Sequence, residues 1–214
     1  MKKIITIFLA ILLSLTFCAC STNKALTKEE MLSVAIEAHA SDIELDSSKN
    51  IAGAKQKYCN KTLLLSGMVR KIKEDYIEVS ALGSPDYIID VYLPLEELVN
   101  LEESQYITVV GTTTDEITES SENVIEYTYN YKHYQMPVAY FVKDTVEIKG
   151  VLKGPNRSNS PAFNIQVGSN TEYNLIYFTD NVDTSKLKIG QEITFVARAN
   201  MKLVWHYYDA EIIE

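Results

Sequence analysis

Cysteine is scarce in this sequence. The 214-residue chain has three, and two of them, Cys18 and Cys20, end an N-terminal apolar stretch. Loss of Cys18 on export and modification of Cys20, argued below, would leave Cys59 without a partner. No intramolecular disulfide is then expected, and stability must come from packing. Cys59 reads as a small, partly buried hydrophobe. Histidine is equally thin. His39, His133 and His206 lie far apart with no neighbour at metal-ligand spacing, so no zinc site is expected. Asp180-Asn-Val-Asp183 lacks the pattern of a calcium loop and reads as a polar turn. There is no Gly-x-Ser-x-Gly elbow and no phosphate-cradling glycine loop. Glu96, Glu97, Glu102 and Glu103 flank a short predicted helix and read as a solvated face. No catalytic residue, metal or cofactor is therefore expected. Positive charge is also short, at 20 basic residues against 29 acidic ones and a formal net charge of −9. Such a chain repels polyphosphate at long range, which argues against general nucleic-acid binding. Long apolar runs are missing too, since 4–17 falls short of the ~20 residues that span a bilayer.

That short run nevertheless has the form of an export signal, with Met1-Lys2-Lys3 as its positive start and small residues after it. Its end, Phe17-Cys18-Ala19-Cys20-Ser21, resembles a bacterial lipobox, with small Ala19 before Cys20 and Phe17 at a place usually held by an aliphatic residue. The resemblance implies a signal peptide over 1–19 and a diacylglyceryl group on Cys20. It places the protein on a cell membrane, lipid-anchored and facing outside the cytoplasm. Two or more acyl chains anchor stably at ~0.8 kcal/mol per buried CH₂. The alternatives are ordinary secretion after cleavage nearby, or an uncleaved anchor. Removal of Lys2 and Lys3 would take the net charge from −9 to −11.

Beyond a short tether, Thr27-Lys-Glu-Glu30 is a capping box. It opens a predicted helix with Met31, Val34, Ala35 and Ala38 on one face. Residues 42–48 read as a polar turn, and a second helix is predicted over 48–58 with Ile51, Ala54 and Tyr58 inward. The period then changes to two. Strands are predicted around 63–69, 76–81, 87–93, 105–112 and 138–143, with Pro94 opening a short helix after the third. The pattern then recurs. Val146, Ile148, Gly150 and Leu152 match Leu63, Leu65, Gly67 and Val69 at an offset of 83. At an offset of 86, Tyr173, Leu175 and Tyr177 match Tyr87, Ile89 and Val91, and Ile193, Phe195 and Ala197 match Ile107, Val109 and Gly111. Near the ends of the two units, Trp205-His-Tyr-Tyr-Asp209 resembles Tyr140-Phe-Val-Lys-Asp144. The expected fold class is all-β, with two tandem five-stranded OB-fold-like barrels behind a short N-terminal helical lead. The expected organisation is signal peptide 1–19, lipidated tether and helix 20–46, first domain 47–145 and second domain 146–214.

Asn50, Ala54 and Tyr58, followed by Asn60-Lys-Thr-Leu-Leu-Leu-Ser-Gly67, resemble the opening of the tRNA-anticodon-binding-like OB domains of bacterial lipoproteins. Gly190-Gln-Glu-Ile-Thr194 and Asp209-Ala-Glu-Ile212 are similar to the close of such domains. The shared motifs are structural, so the resemblance implies a fold and not RNA binding.

Aligning the repeats isolates an insertion of about twenty residues between the fourth and fifth strands of the first unit, because the equivalent join near 200–204 is short. The insertion ends in Tyr127-Thr-Tyr-Asn-Tyr-Lys-His-Tyr134. Loops at this join border the surface on which OB-folds bind oligonucleotides and oligosaccharides. Tyr127, Tyr129 and Tyr131 share one side of an extended strand, and with Tyr134 they are candidate ligand contacts. Three readings stay open: tyrosines packed in a β-hairpin, a platform for sugar rings or an apolar partner, or a surface for stacking bases. The last brings phosphate against Asp115, Glu116, Glu119, Glu122 and Glu126. Lys149, Lys153 and Arg157 form a local basic spot, and Arg157 is a further candidate contact, the alternative being a flexible loop tip. Altogether the sequence reads as a membrane-held binding or adaptor module rather than an enzyme. Its expected partner is a protein or envelope glycan, with oligonucleotide binding or a purely structural role as alternatives.

Overall fold

The computed structural model describes residues 25–83, 85–124, 127–156, 161–169, 173–202 and 204–213. Cys18, Cys20 and Arg157 lie outside these residues. Among the described residues no helix is long and apolar enough to cross a membrane. The chain is mostly strand, arranged as one closed barrel and one larger sheet.

The predicted capping box forms at the start of α1 (Lys28–Val34), where the Thr27 amide donates to Glu30 Oε2 at 2.8 Å and the Glu30 amide to Thr27 Oγ1 at 3.3 Å. The helix then stops earlier than its apolar spacing predicts. Residues Ile36–His39 form β1, which pairs in parallel with β2 (Thr62–Ile72), so Ala38 is buried as a strand residue. Between them lie α2 (Ala40–Lys49) and α3 (Ile51–Tyr58). The polar segment read as a turn is thus the body of α2. Its buried residues Ala40, Ile43 and Ser47 fall at helical spacing among solvated neighbours. Ile43 joins the first core, so α2 crosses the expected domain boundary at 46/47. Asn50 caps α3 through its side chain, and Ala54 and Tyr58 point inward while Ile51 stays exposed.

The remaining strands of the first unit are β3 (Ile77–Ser80), β4 (Tyr87–Val91), β5 (Tyr106–Thr112), β6 (Ile117–Val124), β7 (Tyr127–Met136) and β8 (Val138–Lys143). Pro94 is the N-cap, not the first residue, of the short helix α4 (Leu95–Leu98). The sheet runs β6-β7-β4-β3-β2-β5-β8, with β1 also paired to β2. Its two ends meet along the chain. β7 pairs in parallel with β4, β8 pairs antiparallel with β5, and only Pro137 separates β7 from β8. Proline has no amide to give to a ladder, which suits a break at this point.

The second unit is a closed barrel of β9 (Thr145–Pro155), β10 (Ala162–Val167), β11 (Asn174–Phe178), β12 (Glu192–Met201) and β13 (Trp205–Ile212), in the order β10-β11-β13-β12-β9. Its third and fifth strands run parallel, and its other ladders are antiparallel. This is a five-stranded Greek-key arrangement of the OB type. Each unit has its own core. Leu63, Leu65, Val79, Ile89, Val109 and Tyr134 belong to the first, and Leu152, Ile165, Ile176, Ile193, Phe195 and Tyr207 to the second.

The repeat offsets hold for the first and fourth strands but not for the third. Tyr87, Ile89 and Val91 are buried, whereas Asn174 and Ile176 are buried in the second unit and Leu175 and Tyr177 turn outward. A one-residue slip exchanges the two faces of a strand. The repeated glycine does keep its place. A Cβ on Gly67 would lie 2.6 Å from Val79 Cγ1, and one on Gly150 would lie 2.8 Å from Ile165 Cδ1. The second strand of each unit passes too close for any side chain there.

Candidate ligand-binding face

The insertion is a hairpin, with β6 and β7 antiparallel from Ile117↔Tyr134 to Val124↔Tyr127. It lies beside β4, so the outer face of β2, β3 and β4 continues onto β7 and β6. Cross-strand partners share a face, which fixes what this surface displays. Glu78 on β3 is opposite Asp90 on β4, and Asp90 is opposite Gln135 on β7. His133 lies opposite Thr118 on β6. Glu78, Asp90, Thr118 and His133, together with Arg70, Lys71, Lys73, Tyr76, Ser120, Glu122 and Tyr131, surround a groove of about 400 Å³.

Charge inside the groove is balanced. Arg70 pairs with Glu78 and, at 2.5 Å, with Glu122; Lys71 pairs with Glu122; Lys73 lies 3.5 Å from Glu78. The hydrogen bonds from Lys71 and then Arg70 hold the Glu122 carboxyl down at about 2. Glu122 therefore clamps the hairpin to β2, a role its place in a run of acidic residues did not reveal. The Arg70 guanidinium also sits over the Tyr131 ring, 4.4 Å from its centre.

Asp90 and His133 are both buried, at 5% and 6% exposure. His133 Nδ1 is 2.8 Å from Asp90 Oδ1, and its Nε2 is 2.7 Å from Ser120 Oγ. A carboxylate only accepts, so the matching tautomer carries its proton on Nδ1 and takes the Ser120 hydroxyl proton at Nε2. Gln135 Nε2 donates to Asp90 Oδ2 at 2.7 Å. This set is not legible in the sequence, because its members lie on three strands that only the fold brings together.

The four tyrosines divide into two pairs. Tyr127 is 69% exposed and Tyr129 40%, whereas Tyr131 is 8% exposed and Tyr134 1%. Tyr129 and Tyr131 stack with ring centres 6.3 Å apart. Tyr134 is not a surface contact. It points into the first core, its hydroxyl 2.8 Å from Ser47 Oγ and its ring 6.3 Å from that of Tyr87. Burial pushes the phenol up to about 12. Tyr76, which lines the groove, stacks on Tyr92 at 5.0 Å, a pair that sequence reasoning missed because its members flank different strands. Of the local basic spot, Lys149 pairs with Glu192 at 2.8 Å. Cys59 is buried, and burial raises its thiol pKa. Among the described residues no group of three His, Cys, Asp or Glu side chains could hold a metal ion.

No family model and no curated protein matches the chain. Among solved structures, the wild-type single-stranded DNA-binding protein from Thermus aquaticus is similar at 13% identity and a TM-score of 0.29, with 70% of this chain and 90% of that chain covered. A likeness that distant carries no functional argument.

Proposed function

We propose that the protein is a lipid-anchored binding module that captures a cell-envelope glycan on the outer face of its first sheet. The observation that carries this reading is the groove itself. Tyr76 and Tyr131 line it, stacked on Tyr92 and Tyr129 in turn, among side chains that donate and accept hydrogen bonds with no excess of positive charge. Sugar rings present an apolar C–H face and a rim of hydroxyls, which this mixture matches. A phosphate chain would have to displace carboxylates from Arg70, Lys71 and Lys73. On this reading the first unit is a second OB-like barrel whose fifth strand is split at Pro137, and the hairpin enlarges its ligand face. The resemblance to OB domains of bacterial lipoproteins supports the same view, as does the lipobox-like Phe17–Ser21 segment.

A thermal-shift panel on soluble 21–214 at low salt tests the binding. Cell-wall oligosaccharides should raise the melting temperature, by about 2.7 kcal/mol of apparent stability at a hundredfold excess over Kd. The shift should shrink when Tyr127 and Tyr129 are replaced by Ser, since both are exposed and their loss spares the core. A shift with single-stranded DNA or RNA instead would overturn the reading, and no shift with any of them would point to a protein partner. Anchoring is tested separately. Cys20→Ser should move the full-length protein from the detergent phase to the aqueous phase, and unchanged partitioning would assign the anchor to the apolar run.

A further inference from the structure

We propose that Ser120, His133 and Asp90 form a nucleophile, base and orienter for acyl transfer, acting on an ester carried by the bound glycan. The choice of a glycan ester rests on the binding reading above, but the triad stands on its own geometry. Both links are within hydrogen-bond reach, at 2.7 Å from Ser120 Oγ to His133 Nε2 and 2.8 Å from His133 Nδ1 to Asp90 Oδ1. The free oxygen of Asp90 is taken by Gln135, so the carboxylate is fixed on both sides. Exposure runs in the order the chemistry needs. Orienter and base are buried, while Ser120 is an exposed residue of β6, the end strand of the sheet, and lines the groove. Such sets are recognised by geometry and role, not by sequence order or a surrounding motif.

The reaction is hydrolysis with water as the only co-reactant. Ser120 Oγ attacks the acyl carbon, forming the Oγ–C bond, as its proton passes to His133 Nε2. The bond from the acyl carbon to the sugar oxygen breaks, and that oxygen takes the proton. Water then repeats the attack through His133, releasing the carboxylic acid and restoring Ser120. Nothing is oxidised or reduced. The oxyanion needs a hydrogen-bond donor, and Lys73, which lines the same groove 3.5 Å from Glu78, carries three N–H bonds on its ammonium and is the candidate for that role.

A fluorophosphonate probe tests the triad without any glycan, because the nucleophile displaces fluoride from phosphorus. Intact mass and peptide mapping of soluble 21–214 should show a single adduct on Ser120, with Ser121 as an internal control. The adduct should be absent from Ser120→Ala. It should form about 100-fold more slowly in His133→Gln and Asp90→Asn. Thermal melts establish that each variant is folded, and the near-isosteric Asp90→Asn keeps the test decisive should His133→Gln unfold. No adduct, or an adduct indifferent to His133 and Asp90, would overturn the triad. Release of acetate from an O-acetylated cell-wall oligosaccharide then tests the substrate. Turnover of p-nitrophenyl acetate alone would overturn the glycan ester. Binding of unesterified oligosaccharide to Ser120→Ala reports the binding reading independently.

Discussion

Tyr134 and Tyr207 occupy corresponding places in the two units. Each lies on a strand in parallel register with a core isoleucine, Ile89 for Tyr134 and Ile176 for Tyr207. Burial pushes both phenols up to about 12. They are structural residues, and the cost of changing them follows from what each touches. Tyr134→Phe keeps the ring and removes the partner of the Ser47 hydroxyl, 2.8 Å away. The expected loss is about 1 kcal/mol, read by urea denaturation. Tyr134→Ala should cost about 3–5 kcal/mol, as for other large aromatic truncations in a core. A loss near zero for the alanine variant would mean that the ring is not in the core. Alternation along Tyr127–Tyr134 was legible in the sequence and correctly put Tyr129 and Tyr131 side by side. It could not say where along the strand the barrel begins, so the inward turn at Tyr134 was missed.

The hairpin does two jobs. Asn123 and Tyr127–Asn130 are exposed, while the end of β7, from Lys132 to Met136, is the ladder partner of β4 and part of the first unit's frame. The insertion was legible because the second unit lacks it. Its structural half was not, since β4 and β7 pair across more than forty residues of chain and no local signal marks that. Glu122 joins the hairpin to β2 through Arg70 and Lys71. Its folded pKa of about 2 lies below the usual 4.5, so its ionised form is stabilised by folding. That contribution is complete above the unfolded value and is lost as pH falls from about 4.5 through about 2. Hydrogen exchange at Ser120–Glu122 and Tyr129–Tyr131 should therefore accelerate over this window. In Glu122→Gln it should already be fast at neutral pH, with less change below. An acid response unchanged in the variant would remove the clamp from the account.

At the scale of the whole molecule the two cores are separate but touch. The Met201 amide donates to Ser104 O at 2.9 Å, Gln105 Nε2 donates to Asp144 Oδ2 at 3.1 Å, and Trp205 meets Tyr106 edge-on at 6.3 Å. A cleft of about 460 Å³ lies alongside, lined by His39, Tyr106, Lys143, Glu147, Trp205 and Tyr207. Trp205 is the chain's only tryptophan, so its fluorescence reports on the second barrel and this junction. Two cores predict two units of cooperativity. Urea transitions followed by Trp205 emission and by far-UV circular dichroism should not coincide. Coincident curves would mean that the contact makes one folding unit of both.

The sequence by itself determined the strand-rich class, the repeat of the first and fourth strands, the place of the insertion and the cap at Thr27. The class and the cap follow from spacing within a segment, where propensity and period act directly, and the repeat and insertion from comparing two such patterns along the chain. Tertiary structure alone decided that 36–39 is a strand and 40–49 a helix, because burial against β2 outweighs weak local preference. It also decided the third-strand register, the inward turn of Tyr134 and the meeting of Asp90, Ser120 and His133. Those depend on which strands become neighbours, a property of long-range pairing that residues within one segment do not encode.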